Sequence, residues 1–404
     1  MRDFISFDKS LEIINNFGFK NKASKRVFIG DALNKILAQD IVAQENSPEF
    51  PTSGMDGYAI KFEDMQNSLE IIDKNPAGSV VEKKVILGTC IKTFTGSLMP
   101  KGSDTLVPIE NVEVIGNKIT IITPVSKGFA VRDIGENYKK DEVLIKAGTK
   151  VGFSEIGVMA SLNIVQVEVA ISPIIAVAST GSEILDLGVE KTNDSQIRSS
   201  NHLTLEALFK LHGADVLQMG PVKDDIDTIT EFFVNALSSS DIVVTTGGVS
   251  VGDYDFVQDV IKDKLQAEIL FHGVYIKPGL HILVAKKDEK IIVALPGFAY
   301  SSTICAIIYI LPLIYRFLNS NLTLPIVKAK ISKDLQNSTN KRVFMACNVE
   351  FKSGNYEIDF VGKKSGTSAI LTNMLGNPAL LIQYENSTIK AGDFVDILLL
   401  NSLK

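Results

Sequence analysis

The chain has only three cysteines in 404 residues, Cys90, Cys305 and Cys347, far apart in sequence and in no CxxC pair. That spacing offers no disulfide framework and points to reduced thiols and a cytoplasmic setting. An excess of positive charge is lacking too. Forty-one basic residues against 47 acidic ones leave a formal charge of -6, so nothing in the overall balance calls for a nucleic-acid partner. Long apolar runs are missing: STICAIIYILPLIY spans only about fourteen residues and holds a proline, short of a membrane span and expected as a buried helix. The amino terminus, MRDFISFDKSLEII, is charged and has no uninterrupted apolar core, so no secretion signal is expected. There is neither an internal repeat nor a low-complexity segment.

What is present is ordinary globular material, 45% hydrophobic and 22% charged, in a chain long enough for several domains. Apolar spacing predicts helices over residues 4–17 and 30–40, with Asp31 starting the second. SPEFPTSGMDGYAI follows as a loop punctuated by proline and glycine. Residues 60–136 alternate short β-rich runs with turns. From Val167 the pattern changes: VEVAISPIIAVAST reads as a strand, SNHLTLEALFKLHGA as a helix, DVLQMGPV as a strand, DDIDTITEFFVNALSSS as a helix and DIVVTT as a strand. Alternation of that kind predicts a doubly wound α/β domain. After Pro325, VKAKI, RVFMACNVEF, YEIDFVG, PALLIQY and DFVDILLL predict a last, mostly β domain.

Chemistry concentrates where these strands end. DIVVTT runs into Gly247, Gly248, Ser250, Gly252 and two acids, Asp253 and Asp255. In open α/β sheets ligands sit beyond the carboxyl ends of the strands, and paired glycines let the backbone approach a phosphate. Carboxylates beside such a pocket suit magnesium, a hard cation that takes one or two of them plus phosphate oxygens. Alone, the loop equally fits a tight turn with solvated acids. AVASTGSEIL repeats the design with Ser179, Thr180, Gly181, Ser182 and Glu183, and two such loops on one sheet are harder to explain as unrelated turns. A third segment brings Lys277, Pro278 and Gly279, then Pro296, Gly297 and Ser301 at a strand-to-helix junction; by itself Lys277 would be a surface lysine.

SPEFPTSGMDGYAI, TGS at 95–97, STGSEIL, SNHLTLEALFKLHGADV, VKDD, TTGGVSVGDYDFV, YIKPG and ALPG occur in an order that resembles the molybdopterin molybdenumtransferases, the MoeA and gephyrin E-domain family. The resemblance covers nearly the whole chain. It implies a multidomain α/β plus β protein of four parts: a helical, extended dimerisation domain (residues 1–47 and 137–170), an inserted β-rich domain (48–136), an α/β molybdopterin-nucleotide-binding domain (171–320) and a C-terminal β-barrel-like domain (325–404). It implies a homodimer whose active site combines the α/β domain of one subunit with the inserted domain of the other. The implied reaction takes adenylylated molybdopterin and molybdate and, with Mg2+, yields molybdenum cofactor and AMP. Molybdoenzymes or other cofactor-pathway proteins would be further partners; nucleic acid and membrane are not expected.

By the same resemblance, Asp56, Thr95, Glu183, Asp225, Asp255 and Lys277 take catalytic positions, with Glu183 and Asp255 as the magnesium-associated acids. Thr180, Gly181, Asp224, Gly247, Gly248, Ser250, Gly252, Pro278, Gly279, Pro296, Gly297 and Ser301 take nucleotide- or cofactor-binding positions. Asp56 and Asp224 fit helix or turn caps as well. The chemistry suits such a set, because breaking a pyrophosphate bond needs charge neutralisation more than a covalent nucleophile.

The chain also departs from the family pattern. Leu280 and His281 follow Lys277-Pro278-Gly279 where the family carries Lys-Pro, Phe298 and Ala299 replace Asn-Pro, and Asn137 replaces an aspartate. Ala346 stands at an arginine position with Arg342 nearby, and Thr367 at a serine position. A molybdate cage that loses a lysine and an arginine binds its dianion less well, unless His281 or Arg342 stands in. Two alternatives therefore stay beside the transferase. One is a divergent paralogue that handles tungstate or binds the pterin nucleotide without efficient insertion. The other is a scaffold protein, which no exposed tail favours.

Overall fold

A computed structural model of the chain describes residues 4–19, 23–249, 256–364 and 368–403. It divides into two compact units, one of Met1–Ala38, Ala147–Gly152 and Gln166–Lys404, the other of Gln39–Lys146 and Phe153–Val165.

The first unit begins with helix α1 (Phe7–Asn16), capped by Ser6, whose side chain accepts the N–H of Lys9. Phe7, Ser10 and Ile14 recur at the spacing of one helical face and are buried. The central sheet follows from β1 (Ile174–Thr180), α2 (Asn201–Leu211), β2 (Asp215–Val222), α3 (Ile226–Ser239), β3 (Ile242–Thr246), β4 (Glu268–His272), a two-residue stub β5 (Ile276–Lys277), β6 (Leu283–Lys287) and β7 (Lys290–Leu295). Six of these strands join in the order β2-β1-β3-β7-β6-β4, the first four parallel and the last two antiparallel to their neighbours. β3 is buried along its whole length, as expected of a parallel strand covered on both faces.

The apolar run after β7 forms a helical segment, α4 (Ala299–Phe317), with a π turn at Ala306–Ile310. It is long and apolar enough to cross a membrane by composition, but 89% of that window is buried inside the protein, which makes it a core helix. The rest of the unit is β: β8 (Ile326–Ile331), β9 (Arg342–Lys352), β10 (Asn355–Asp359), β11 (Pro378–Gln383) and β12 (Phe394–Leu399). The order β9-β10-β8-β12-β11 returns to β9 through a β9–β11 pairing, so the five strands close a barrel. The stub β5 adds to this barrel in parallel with β9, Ile276 opposite Arg342 and Lys277 opposite Val343.

In the second unit a six-stranded sheet runs in the order Thr105–Pro108, Gly57–Ile60, Thr89–Thr93, Ser68–Asn75, Lys118–Ile121, Val112–Ile115. Tyr58, Ile60, Leu69, Cys90, Val107 and Ile119 fill its core.

Two local expectations are corrected. Residues 30–40 do not form a helix: a short turn at Ile29–Ala32 is followed by Asn34 at φ 65° and by single bridges from Ile36 to Lys150 and from Leu37 to Val169. A left-handed Asn ends helical geometry, and pairing with distant segments replaces it. VEVAISPIIAVAST is two strands, not one. Gln166–Ala170 pairs with Ser24–Phe28, and Pro173, which has no N–H for a ladder, separates it from β1.

All three cysteines are free and buried. Burial pushes the thiols of Cys90 and Cys347 up to about 12 and that of Cys305 higher still, so none is a ready nucleophile.

α1 is tied to α4 by a polar contact inside an apolar core. Ser10 Oγ donates to the carbonyl of Phe7 (2.6 Å), so the Tyr309 hydroxyl, 2.9 Å away, must be the donor between the two side chains. Both residues are fully buried. Ser10→Ala is expected to strand the phenol and destabilise the fold by about 1–3 kcal/mol, and adding Tyr309→Phe should recover part of that loss. Urea unfolding of the two variants measures it, and equal midpoints for wild type and Ser10→Ala would refute the contact.

Candidate functional site

Because β1, β3 and β7 are parallel and in register, Ser179 lies opposite Thr246 and Thr246 opposite Leu295, so the loops that follow these strands open from one row. They form the wall of a cavity of about 960 Å3. Thr180, Gly181, Glu183, Asp224, Gly247, Gly248, Lys277, Pro278, Gly279, Pro296, Gly297 and Ser301 all line it. Barrel residues close the other side, among them Lys341, Val343, Met345, Ala346 and Lys364.

The glycines are there because the backbones touch. Gly247 has φ 98°, and a Cβ on it would sit 2.7 Å from the carbonyl oxygen of Thr180. Its N–H donates to Leu295 O at 3.0 Å, which binds the loop after β3 to the end of β7. Gly279, at φ 113°, leaves room for Cys305 Sγ, against which any side chain would collide. Any residue but glycine at either position would both strain the backbone and displace a packed neighbour.

The acids are partly committed. Asp224 Oδ2 accepts the N–H of Ser182 at 3.1 Å, tying the loop after β2 to the loop after β1. Glu183 is exposed, with its carboxylate folded back over Gly181, where a Cβ would lie 2.9 Å from each oxygen. Asp225 does not line the cavity. It is the N-cap of α3, accepting from the N–H and hydroxyl of Thr228 at 2.8 and 2.7 Å, and those two bonds hold its carboxyl below the ordinary value. Ser250, Gly252 and Asp255 lie outside the described residues, as does Thr367. Among the described residues no three His, Cys, Asp or Glu side chains gather as a ready metal cage.

Asp56 and Thr95 belong to the second unit and are joined there: the N–H and hydroxyl of Thr95 donate to one Asp56 oxygen at 2.8 and 2.7 Å.

Sequence reasoning missed a chain of hydroxyls in the cavity wall. Thr246 Oγ1 donates to Ser179 Oγ (3.1 Å), Ser179 Oγ is 3.0 Å from Ser199 Oγ, and Ser199 Oγ is 3.0 Å from His202 Nδ1. His202 Nε2 faces Asp186 Oδ1 at 3.6 Å. Nearby, Asn201 Nδ2 donates to Gly297 O at 2.7 Å and fixes the loop after β7. The only hint in the sequence is the cluster RSSNH at the start of α2. Arg342 is corrected as a stand-in cation: it is 8% exposed, bonded to Glu385 at 3.0 Å, near Asp8 at 3.5 Å, and stacked on the rings of Phe7 and Tyr384. It does not line the cavity, because Glu385, Asp8 and the two rings hold its guanidinium elsewhere. Ala346 packs with the core and is 4% exposed.

An open α/β sheet whose strand ends carry glycine loops, buried hydroxyls, acids and lysines around one cavity has the architecture in which α/β proteins bind ligands beyond their strand ends. Residues 5–163 match the family described as "MoeA N-terminal region (domain I and II)", and residues 176–316 the family described as "Probable molybdopterin binding domain". The chain is 32% identical to the molybdopterin molybdenumtransferase of Staphylococcus aureus strain Mu50 over 93% of its own length and 91% of that protein. To the enzyme of the same name from Staphylococcus epidermidis it is also 32% identical, over 93% and 90%. The crystal structure of a molybdopterin biosynthesis moeA protein from Pyrococcus horikoshii OT3 superposes with a TM-score of 0.84 at 26% identity, covering 98% of this chain and all of that one. The chain belongs to the molybdopterin molybdenumtransferase family and is a transferase of molybdenum cofactor biosynthesis.

The Asp56–Thr95 pair carries a pH signature. The Thr95 N–H and then its hydroxyl, with a smaller contribution from the charge of Lys92, hold the Asp56 carboxyl below the ordinary value. A depressed folded value means that the pair contributes stability above the unfolded carboxyl's range, lost as pH falls through Asp56's own lower value. Thr95→Ala keeps the backbone bond and removes the hydroxyl, so the Asp56 carboxyl should titrate at higher pH than in wild type. Side-chain carboxyl 13C NMR against pH measures this, and superimposable titrations would contradict it.

Proposed function

We propose that this protein inserts molybdate into adenylylated molybdopterin in a magnesium-dependent reaction that releases AMP. The observation that carries the proposal is the convergence of the loops after β1, β2, β3, β5 and β7 on one cavity, with family-matching residues in each loop. Residues 171–320 then hold the nucleotide, 325–404 close the oxyanion end, and 1–47 with 137–170 bring two copies together. Residues 48–136 of a second copy supply Asp56 and Thr95. Buried thiols agree with a cytoplasmic setting.

At the nucleotide end the protein works by fixed dipoles. The N–H groups of Gly181 and Gly247 and the hydroxyls of Thr180 and Ser179 are held by neighbours, so the loops that would receive phosphate charge are fixed before it arrives. Asn201 and Asp224 lock the loops that carry them. Carboxylate oxygens on Glu183 and Asp224 form a hard donor set at the cavity wall, which fits Mg2+ completed by phosphate oxygens and water, and Asp255 follows in the adjacent loop sequence. When bound, that ion supplies neutralisation of the pyrophosphate charge. Lys277 offers the departing or incoming anion a point charge at the other end.

A second possibility, binding of the pterin nucleotide without efficient insertion, is favoured by Leu280 and Phe298 at the oxyanion end, where the family carries polar or charged residues. One assay separates the two. Purified protein incubated with adenylylated molybdopterin, magnesium and molybdate or tungstate should release AMP in proportion to oxyanion; nucleotide binding without release would favour the binding protein.

Glu183→Ala should lower magnesium-dependent nucleotide affinity at least tenfold by calorimetry, because phosphate charge loses part of its countercharge. An unchanged affinity would remove Glu183 from the site. Mixing Asp56→Ala and Glu183→Ala proteins should restore activity that neither has alone, since one composite site per heterodimer stays intact when the subunits exchange. A monomer with full activity in light scattering would overturn the dimer.

A further inference from the structure

Leu280 and Ala346, where the resemblance in sequence implies cations, bring none to the cavity wall, and Arg342, the one arginine of the barrel, does not line it. We infer that the lost charge has moved to the barrel rim, where Lys341 and Lys364 hold the oxyanion together with Lys277. The inference rests on the transferase proposed above.

Register carries it for Lys341. Because Lys277 pairs opposite Val343 in the parallel β5–β9 ladder, the two side chains share a face, and Lys341, two residues before Val343, belongs to that same face. Burial follows the alternation: Lys341, Val343 and Met345 are half-buried, whereas Arg342, Phe344 and Ala346 are buried, although Phe344 and Ala346 also reach the cavity wall. Lys277, Lys341, Val343 and Met345 all line the cavity. The turn leading to Lys341 is built on buried Asn337, whose Nδ2 donates to both Lys341 O and Tyr384 O at 2.8 Å.

Lys364 is set in a comparable mount. Its N–H donates to Asn373 Oδ1 at 3.0 Å and its carbonyl accepts from Asn373 Nδ2 at 2.8 Å, with Asn373 only 4% exposed. The adjacent Lys363, by contrast, spends its ammonium on the carbonyls of Asn373 and Leu375. Among the described residues no carboxylate pairs with the ammonium of Lys277, Lys341 or Lys364. Three unneutralised ammonium groups on rigidly held backbones around one cavity suit a tetrahedral dianion, which binds point charges from several sides without needing a planar fork.

The test is equilibrium dialysis of the full-length protein against molybdate in the presence of AMP, with bound molybdenum counted by mass spectrometry. Lys341→Ala and Lys364→Ala should each weaken molybdate binding about tenfold, with AMP affinity unchanged. Lys341→Arg and Lys364→Arg should recover most of it. Lys352→Ala, which removes an equal charge at the far end of β9, should have no effect and controls for net charge. Wild-type affinity in both alanine variants, or no molybdate uptake by the wild type, overturns the inference. Molybdate uptake that depends on the lysines, without AMP release from the adenylylated substrate, would instead count against the proposed transferase reaction alone.

Discussion

Ile276 and Lys277 form the shortest strand of the first unit to join a large sheet, yet the cavity depends on them. β5 leaves the central sheet after β4 and pairs with β9, so the chain itself stitches the barrel to the α/β sheet before β6 and β7 return to complete the latter. Ile276 is buried among the central apolar cluster while Lys277 stays exposed, and the alternation of a strand makes both possible in two residues. The pairing sets which barrel residues face the loops after β1, β3 and β7. Shifting that register by one residue would place Ile276, not Lys277, on the face of the stub that Val343 shares.

That stitch holds because the surfaces behind it are apolar and continuous. One cluster runs from Phe7 and Ile14 of α1 through Val244 and Val293 of the sheet and Tyr309 of α4 to Phe344, Leu380 and Leu398 of the barrel. Burial on that scale contributes far more than any one polar contact at the site. The site can therefore tolerate groups that stabilise nothing by themselves, such as lysines with no carboxylate partner among the described residues and backbones in left-handed geometry. Rigidity is supplied from underneath: Cys305 packs under Gly279, and Leu295 anchors Gly247.

Much of this was legible in the sequence, for physical reasons that also mark the limits. Strand ends carrying glycine and acid advertise themselves, because close backbone approach leaves no substitute for glycine; Gly247 and Gly279 are examples. DIVVTT, with its β-branched residues, has one stable fate in an α/β sheet. Residues 30–40 misled because apolar spacing is blind to Asn34 in left-handed geometry and to partners over a hundred residues away. Arg342 drew attention as a cation near the expected site, yet a one-residue difference in a strand decides between cavity and core, and no periodicity in the sequence states where the cavity lies. Lys341 passed unnoticed for the same reason. The hydroxyl chain from Thr246 to His202 joins residues that only the parallel register of β1 and β3 brings together.

The two ends of the cavity are built on different physical principles. At the end proposed for the nucleotide, the wall is made of tightly turned backbone and buried hydroxyls fixed by hydrogen bonds, and such groups discriminate by position. The barrel end, in the assignment made above, meets charge with ammonium groups on four-carbon stems whose backbones are fixed but whose heads are free to adjust. An arginine fork reads the geometry of an oxyanion through paired, planar hydrogen bonds, whereas a lysine reads chiefly its charge. Replacing a cage built with a guanidinium by one of lysines keeps attraction for a dianion and relaxes the demand on its exact size. It follows that oxyanions of equal charge and similar shape, molybdate and tungstate, are separated less by this wall than by one that presents a guanidinium, while monoanions are disfavoured at either because the number of uncompensated cations is what changes least.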